Sequence, residues 1–197
     1  MTISDKLRRI FYFHTNIIPY LNPADYAILI LMNTLFLAVK AKLDDYDTLK
    51  SEFSGIIKGK WARDEDLHVT ICYFGTIYTI EELLNMLPRS IEKTQPSALT
   101  SLDFFSHNKI LYAKPEGYAL DMLHESLCAP FSLKSTASFI PHVTLMRMKK
   151  IDDTKAFKEV LNRYKNRKIG KIETTLELMQ NCLSPEGSKY KSIKKFE

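Results

Sequence analysis

Two kinds of hydrophobic pattern alternate along this chain. Some segments alternate apolar and polar residues as half-buried strands do, and others place apolar residues every three or four positions as amphipathic helices do. Strand patterns cover residues 34–41, 67–74, 98–105, 109–113, 142–148, 168–180 and 189–196. Helical patterns cover residues 44–57, 80–93, 118–127 and 154–164, with a proline at position 88 inside the second. This mixture predicts an α/β or α+β fold.

One strand pattern occurs twice. Residues 67–75 read LHVTICYFG and residues 140–148 read IPHVTLMRM, so both contain the triplet His-Val-Thr. A helical segment follows each copy, and a further predicted strand and helix lie between them. The repeat therefore predicts two similar lobes related by a pseudo-twofold axis, each of which contributes one central strand.

The residues of each triplet fall on alternate faces of their strand. His68 and Thr70 share one face, and His142 and Thr144 share another such face, while the intervening valines point into the hydrophobic layer. If the two strands lie side by side, two imidazoles and two hydroxyls converge on one cleft. Arg147 has an odd offset from His142 and lies on the opposite face of an ideal strand. An end or a twist of the strand there would let its guanidinium bind a phosphate.

These side chains suit phosphodiester chemistry without a metal. A histidine with a pKa of about 6.5 can act as a base toward an attacking water or as an acid toward a leaving oxygen. Threonine hydroxyls can donate hydrogen bonds to non-bridging oxygens, where transition-state charge accumulates. A single His-x-Thr in a strand is usually structural, but two unpaired histidines in a core would be costly, which favours a shared polar cleft. Carboxylate or cysteine ligands for zinc are not evident near the pair, so we expect no metal and no cofactor.

The other three histidines have no such neighbours. We expect His107 to lie in a loop and His124 on a helix surface, and His14 falls outside the predicted elements. The cysteines Cys72, Cys128 and Cys182 are far apart, odd in number and without a CxxC pair. This pattern favours reduced thiols that pack as small hydrophobic groups in a cytoplasmic protein over a disulfide framework. Strict alternation also places Cys72 on the face of the first motif.

The composition changes this picture little. The chain has 197 residues, of which 45% are hydrophobic, and can bury a core without disulfides. Its net charge of +5 fits an anionic partner such as nucleic acid or a phosphorylated small molecule, although a basic surface also serves solubility alone. The apolar run at residues 26–39 is shorter than the roughly 20 residues of a membrane span. We expect an N-terminal extension of unclear role at residues 1–31 and one domain over residues 32–197.

Four stretches resemble the 2H phosphoesterase superfamily, named for two His-x-Thr-x motifs, and in particular its LigT-like RNA 2′,3′-cyclic phosphodiesterases. NTLFLAVKA resembles the family's first strand, KWARDEDLHVTICYFG its first motif, PHVTLMR its second motif with a trailing arginine, and NCLSPEGSKY its last turn. The resemblance runs from about Met32 to the C-terminus. It implies a bilobal α+β fold in which two pseudo-symmetric lobes with antiparallel sheets flank a central cleft and the helices lie outside.

The resemblance also implies a reaction, the metal-independent hydrolysis of a 2′,3′-cyclic phosphate at an RNA 3′ end to a 2′-phosphate. By motif position it implies His68 as the acid for the leaving 3′ oxygen and His142 as the base for the attacking water. It implies phosphate binding by the remaining motif positions, which are Thr70, Thr144 and Arg147. It places Tyr73 in the wall of a base pocket, where simple core packing is an equal alternative.

Two alternative functions remain open at this point. The protein could cleave 2′-5′-linked oligonucleotides or a small cyclic nucleotide, because the motifs do not separate these substrates. It could also be a non-catalytic module that binds RNA ends, although such a module needs no paired acid and base. In each case the partner is RNA or a nucleotide with a cyclic phosphate end rather than a membrane, and we expect a cytoplasmic monomer.

Overall fold

The computed structural model describes residues 33–91, 93–131, 138–184 and 187–196. The predicted extension at residues 1–31 lies outside the described residues, as do parts of the predicted loop at 131–139 and of the turn at 184–188. The helices of the described part are α1 (Tyr46–Glu52), α2 (Ile80–Met86), α3 (Ala119–Cys128) and α4 (Thr154–Arg163), with a 3₁₀ turn at Asp64–Asp66. Within these ranges no helix is long and apolar enough to cross a membrane.

Eight strands of the described residues form one sheet in which every pairing is antiparallel. They are β1 (Thr34–Leu43), β2 (Ile57–Trp61), β3 (His68–Gly75), β4 (Ala98–Phe105), β5 (Ile110–Pro115), β6 (Val143–Ile151), β7 (Gly170–Ser184) and β8 (Gly187–Phe196). The strand order is β1-β3-β6-β5-β4-β7-β8, with β2 paired to β6 and β7 also paired to β1. Because β7 contacts both β1 and β4, the path of strands closes on itself. An antiparallel sheet with separate helices is an α+β fold, as predicted.

The two faces of the sheet differ in what covers them. The main core lies on the face that packs against the helices, and it includes Val69 and Val143 from the two motif strands and Phe157 from α4. The opposite face carries a small buried cluster of Phe36, Ala38 and Met179, with Tyr190 packed against it. We call this second face the cleft face, because it also carries the histidines and threonines of the two motifs.

Local signals explain where the helices begin and end. α1 and α4 each begin after an aspartate whose carboxylate accepts a hydrogen bond from a backbone N–H three residues later, at Thr48 and Ala156. The helix predicted over 80–93 ends at Met86, because Pro88 forces the preceding residue into an extended conformation, with ψ of 145° at Leu87.

The helix predicted over 44–57 is shorter than its hydrophobic pattern, and strand β2 was not predicted. The helix ends at Glu52, and the chain then turns through Gly55, whose φ of 74° is readily adopted only by glycine. Ile56 and Ile57 continue the helical spacing of apolar residues, yet Ile57 begins the edge strand β2 that pairs with β6. Two adjacent isoleucines fit both structures, so the hydrophobic pattern alone did not separate a helix from a strand.

The expectation of reduced cysteines is wrong for two of the three. Cys72 on β3 and Cys128 at the end of α3 form a disulfide, with Cα atoms 5.9 Å apart, while Cys182 is a free thiol. The expectation for His124 is also wrong, because this residue faces the sheet. Its Nδ1 lies 2.6 Å from the carbonyl oxygen of Ile71, and its ring stacks on Phe139. The disulfide and the His124 hydrogen bond therefore link helix α3 to β3, the strand that bears the first motif.

Candidate active site

The two His-Val-Thr motifs lie on neighbouring antiparallel strands. Val69 of β3 pairs with Val143 of β6, and this register places His68 opposite Thr144 and Thr70 opposite His142. Directly opposed residues share a face, so both histidines and both threonines lie on the cleft face. The arrangement has a local pseudo-twofold axis through the valine pair, and it brings together the four residues that the sequence predicted to converge.

A bulge in β3 overturns the predicted position of Cys72. Ile71 is an extra residue in this strand, because adjacent residues of β1 pair with Thr70 and Cys72. Ile71 and Cys72 are consequently both buried in the main core, and Cys72 does not share the face of the histidine. Tyr73 returns to the cleft face, where its side chain is 43% exposed.

An equivalent bulge in β6 brings Arg147 to the site. Adjacent residues of β5 pair with Thr144 and Met146, so Leu145 is the extra residue and both it and Met146 are buried. Arg147 then pairs with Ile110, which lies two residues from the Thr144 partner on β5 and on the same face. β6 therefore contains the irregularity that brings Arg147 to the cleft face. Arg147 follows Thr144 by three residues, as Tyr73 follows Thr70 in the first motif.

Both imidazoles are oriented in the same way. Nδ1 of His68 lies 2.6 Å from the carbonyl oxygen of Asp66, and Nδ1 of His142 lies 2.8 Å from that of Ile140. A carbonyl oxygen can only accept, so each Nδ1 carries the proton and donates. In the neutral ring Nε2 is then the acceptor, which is the state that a general base requires.

His68 is buried between aromatic rings, with Lys40 and Asp66 as charged neighbours. Its ring centroid lies 5.2 Å from that of Phe36 and 5.0 Å from that of Tyr190. Burial lowers the pKa of His68 from 6.5 to about 4, and the charges of Lys40 and His142 act in the same direction. The hydrogen bond to the backbone carbonyl of Asp66 and the negative charge of the Asp66 side chain oppose them. The influence of His142 on this pKa reflects the proximity of the two imidazoles.

His142 has a matching environment on the other half of the site. Its ring makes edge contacts with Phe105 at 5.0 Å and Tyr112 at 5.5 Å between centroids. Burial again lowers the pKa of His142, with the charge of Arg147 acting in the same direction and a backbone hydrogen bond opposing them. Both histidines are therefore held neutral at pH 7 in the free protein.

The four aromatic residues that flank the histidines were missed by the sequence analysis. They come from strands other than the motif strands, and each reads there as an ordinary core position. Tyr190 is the exception, because it lies between Lys189 and Lys191 in a lysine-rich strand, and an aromatic residue in such a segment could have been recognised as a site residue. Among the described residues, no group of three histidine, cysteine, aspartate or glutamate side chains is placed to hold a metal ion.

Two curated proteins are similar in sequence to most of this chain. A curated RNA 2′,3′-cyclic phosphodiesterase of Methanocaldococcus jannaschii is 26% identical over 176 residues, covering 82% of this chain and 99% of the relative. An RNA 2′,3′-cyclic phosphodiesterase of Aquifex aeolicus is 24% identical over 165 residues. This match covers 76% of this chain and 87% of the Aquifex protein.

Solved structures agree on the fold. LigT of Escherichia coli in complex with 3′-AMP has a TM-score of 0.63 at 16% identity, covering 83% of this chain and 97% of that chain. A structure of the Thermus thermophilus protein TT0787 has a TM-score of 0.56 at 20% identity. The match covers 83% of this chain and 96% of the Thermus chain. The family model described as the 2′-5′ RNA ligase superfamily matches residues 47–177, a range that includes both motifs. The chain therefore belongs to the 2′-5′ RNA ligase superfamily.

Proposed function

We propose that this protein hydrolyses 2′,3′-cyclic phosphates at RNA 3′ ends to 2′-phosphates, without a metal. The observation that carries the proposal is the register of Val69 with Val143, which gives one face two equivalently oriented imidazoles and two hydroxyls. The curated relatives named RNA 2′,3′-cyclic phosphodiesterases support this choice of substrate.

The proposed reaction is an in-line displacement at phosphorus. His142 accepts a proton from water through Nε2 as the water oxygen forms a bond to phosphorus. The bond from phosphorus to the 3′ oxygen breaks, and His68 delivers a proton to that oxygen, leaving a 2′-phosphate and a 3′ hydroxyl. Hydrogen bonds from Thr70 and Thr144 and the guanidinium of Arg147 stabilise the charge on the non-bridging oxygens.

The acid role of His68 requires the substrate. A group with a pKa of about 4 is protonated in only about 0.1% of free molecules at pH 7. The bound cyclic phosphate carries a negative charge, and such a charge beside an imidazole favours the protonated ring. Substrate binding and protonation of His68 are therefore coupled. The proton that His68 delivers to the leaving oxygen is held by the histidine pair only in the complex with substrate.

The test is a product assay with an oligonucleotide that ends in a 2′,3′-cyclic phosphate, in the presence of EDTA. We expect a 2′-phosphate product and a loss of at least about a hundredfold in rate for His68→Ala and for His142→Ala. His14→Ala, a histidine outside both motifs, is the matched control and should retain the rate. Binding without turnover would support a non-catalytic module, and turnover only with added metal would contradict the two-histidine mechanism.

A substrate with sulfur at the bridging 3′ position tests which histidine is the acid. A thiolate leaves without protonation, so a variant that lacks only the acid should recover most of its rate on this substrate. We expect recovery in His68→Ala and none in His142→Ala. Recovery in the second variant alone would reverse the two roles while keeping the reaction.

A further inference from the structure

A pocket lies beside His68 on the cleft face. It has a volume of about 440 Å³ and is lined mainly by charged residues, three lysines and four carboxylates. One of them, Lys40 of β1, is directly opposite His68 in the pairing of β1 with β3, so the two side chains share a face. The ammonium of Lys40 donates a hydrogen bond at 2.7 Å to the carbonyl oxygen of Glu65, another lining residue, in the 3₁₀ turn before His68. The pocket therefore adjoins the imidazole with the proposed acid role.

The strand register connects the first motif to the far wall of this pocket. Ala38 of β1 pairs with Thr70 of β3 on one side and with Glu177 of β7 on the other. Glu177 pairs in turn with Lys195 of β8, and both of these residues line the pocket. At about 4.8 Å per strand, Glu177 lies about 10 Å from Thr70, which has a proposed role in phosphate binding. A single nucleotide spans this distance from its phosphate to the far edge of its base.

Glu177 is a buried carboxylate whose hydrogen bonds are not filled by its neighbours. The residue is 3% exposed, and its Oε1 lies 3.6 Å from Nζ of Lys195, an ion pair that is longer than a hydrogen bond. None of the residues that the structure describes donates a hydrogen bond to this carboxylate. Buried polar groups are nearly always hydrogen-bonded, so a carboxylate with open acceptor positions in a pocket indicates a ligand that brings donors.

The charges of the lining favour a nucleobase over a phosphate. Four carboxylates against three lysines give the pocket a small net negative charge, which disfavours an anion. The carboxylate of Glu177 accepts hydrogen bonds, and the ammonium of Lys195 beside it donates them. Of the four RNA bases, only guanine has two adjacent donors, N1–H and N2–H, next to an acceptor oxygen on its Watson–Crick edge. Adenine, cytosine and uracil each offer one donor group there.

We propose that this pocket selects guanine as the terminal base of the RNA, with Glu177 accepting from N1–H and N2–H and Lys195 donating to O6. The inference rests on the proposed function, because this base belongs to the ribose whose 3′ oxygen receives the proton of His68. That ribose lies on the side of the phosphorus away from the attacking water, which is the half of the site that the pocket adjoins. Tyr73 lies beyond Thr70 along β3, away from His68, so its ring would meet a different base.

The experiment measures kcat/KM on four dinucleotides that end in a 2′,3′-cyclic phosphate and differ only in the terminal base. We expect guanine to be preferred by about tenfold or more, because a bidentate hydrogen-bond pair discriminates between bases by about this factor. Hypoxanthine, which lacks only the 2-amino group of guanine, should lose most of the preference. Glu177→Gln should lower the guanine value to about that of the other bases. Glu159→Gln, which removes an exposed carboxylate on α4, is the matched control and should retain both rate and preference.

Each outcome separates the pocket from the reaction. Equal kcat/KM for the four bases in wild type, or a guanine preference that survives in Glu177→Gln, would overturn the pocket and leave the reaction intact. An equal loss for all four bases in Glu177→Gln would also overturn it, because the carboxylate would then support the site in general. The hypoxanthine comparison uses the wild type alone, so it decides the question even if the variant does not fold.

If none of the dinucleotides is hydrolysed, the proposed function fails and binding still tests the pocket. The probes are then guanosine and uridine 2′-monophosphates, which carry the phosphate of the proposed product. Tighter binding of the guanosine nucleotide by wild type but not by Glu177→Gln would support guanine recognition. Equal affinities for the two nucleotides in wild type would overturn it.

Discussion

Removal of the Tyr190 ring should raise the pKa of His68. The ring lies 5.0 Å from the imidazole, and together with Phe36 it keeps water away from it. Burial is the main reason that the pKa is about 4 rather than 6.5. Tyr190 is one of two flanking rings, so Tyr190→Ala should recover about half of this difference and give His68 a pKa of about 5. At pH 6 the protonated fraction of His68 would then rise from about 1% to about 10%.

The measurement is a pH titration of the imidazole resonances by NMR, with His68→Gln used to assign the signal. Tyr190→Phe keeps the ring and should leave the pKa of His68 near 4. Tyr118→Ala, which removes an aromatic side chain that is 82% exposed, controls for a general effect of losing a tyrosine. An unchanged pKa in Tyr190→Ala would refute the argument that aromatic packing desolvates the imidazole, and an equal shift in Tyr118→Ala would do the same.

Three further predictions test other parts of the structure. A Cβ at Gly59 would overlap the carbonyl oxygen of Arg147, so Gly59→Ala should cost about 1–3 kcal/mol and lower the Tm. Reduction of Cys72–Cys128, which spans 56 residues, should lower the free energy of unfolding in urea by about 4 kcal/mol, an effect absent in Cys72→Ser. Between pH 6.5 and 4 the unfolded chain binds a proton at His68 and the folded chain does not, so the free energy of unfolding should decrease as the pH is lowered through this range. The decrease should be larger in wild type than in His68→Gln, by up to about 3 kcal/mol, because the pKa of His142 is lowered in both.

The motif residues and the fold class could be predicted from the sequence because each rests on local alternation. The strand predicted over 98–105 matches β4 (Ala98–Phe105), and the helix predicted over 154–164 ends one residue early, at Arg163. The pairing of β3 with β6 follows from the repeat itself, since two strands with the same polar face can share one cleft. These features need only the side-chain period of a strand or a helix.

The rest depends on contacts between distant parts of the chain. A bulge leaves no local signature in ICY or LMR, yet one extra residue in each motif strand decides the faces of Cys72, Tyr73 and Arg147. The disulfide joins cysteines 56 residues apart, and it becomes evident only once α3 packs on β3. The aromatic residues around the histidines come from β1, β4, β5 and β8, which no motif links to the two triplets.

The repeated bulge also shows where the symmetry of the site ends. Both strands carry the sequence His-Val-Thr, then two buried residues, then an exposed residue on the cleft face, which is Tyr73 in one strand and Arg147 in the other. Two histidines in equivalent settings cannot by themselves distinguish an attacking water from a leaving oxygen. The direction in which the substrate binds must therefore come from groups that differ between the halves. In the proposed reaction Arg147 binds the phosphate, and the proposed base pocket sets a base against the ring of Tyr73, so this pair of positions would assign unlike roles to His68 and His142.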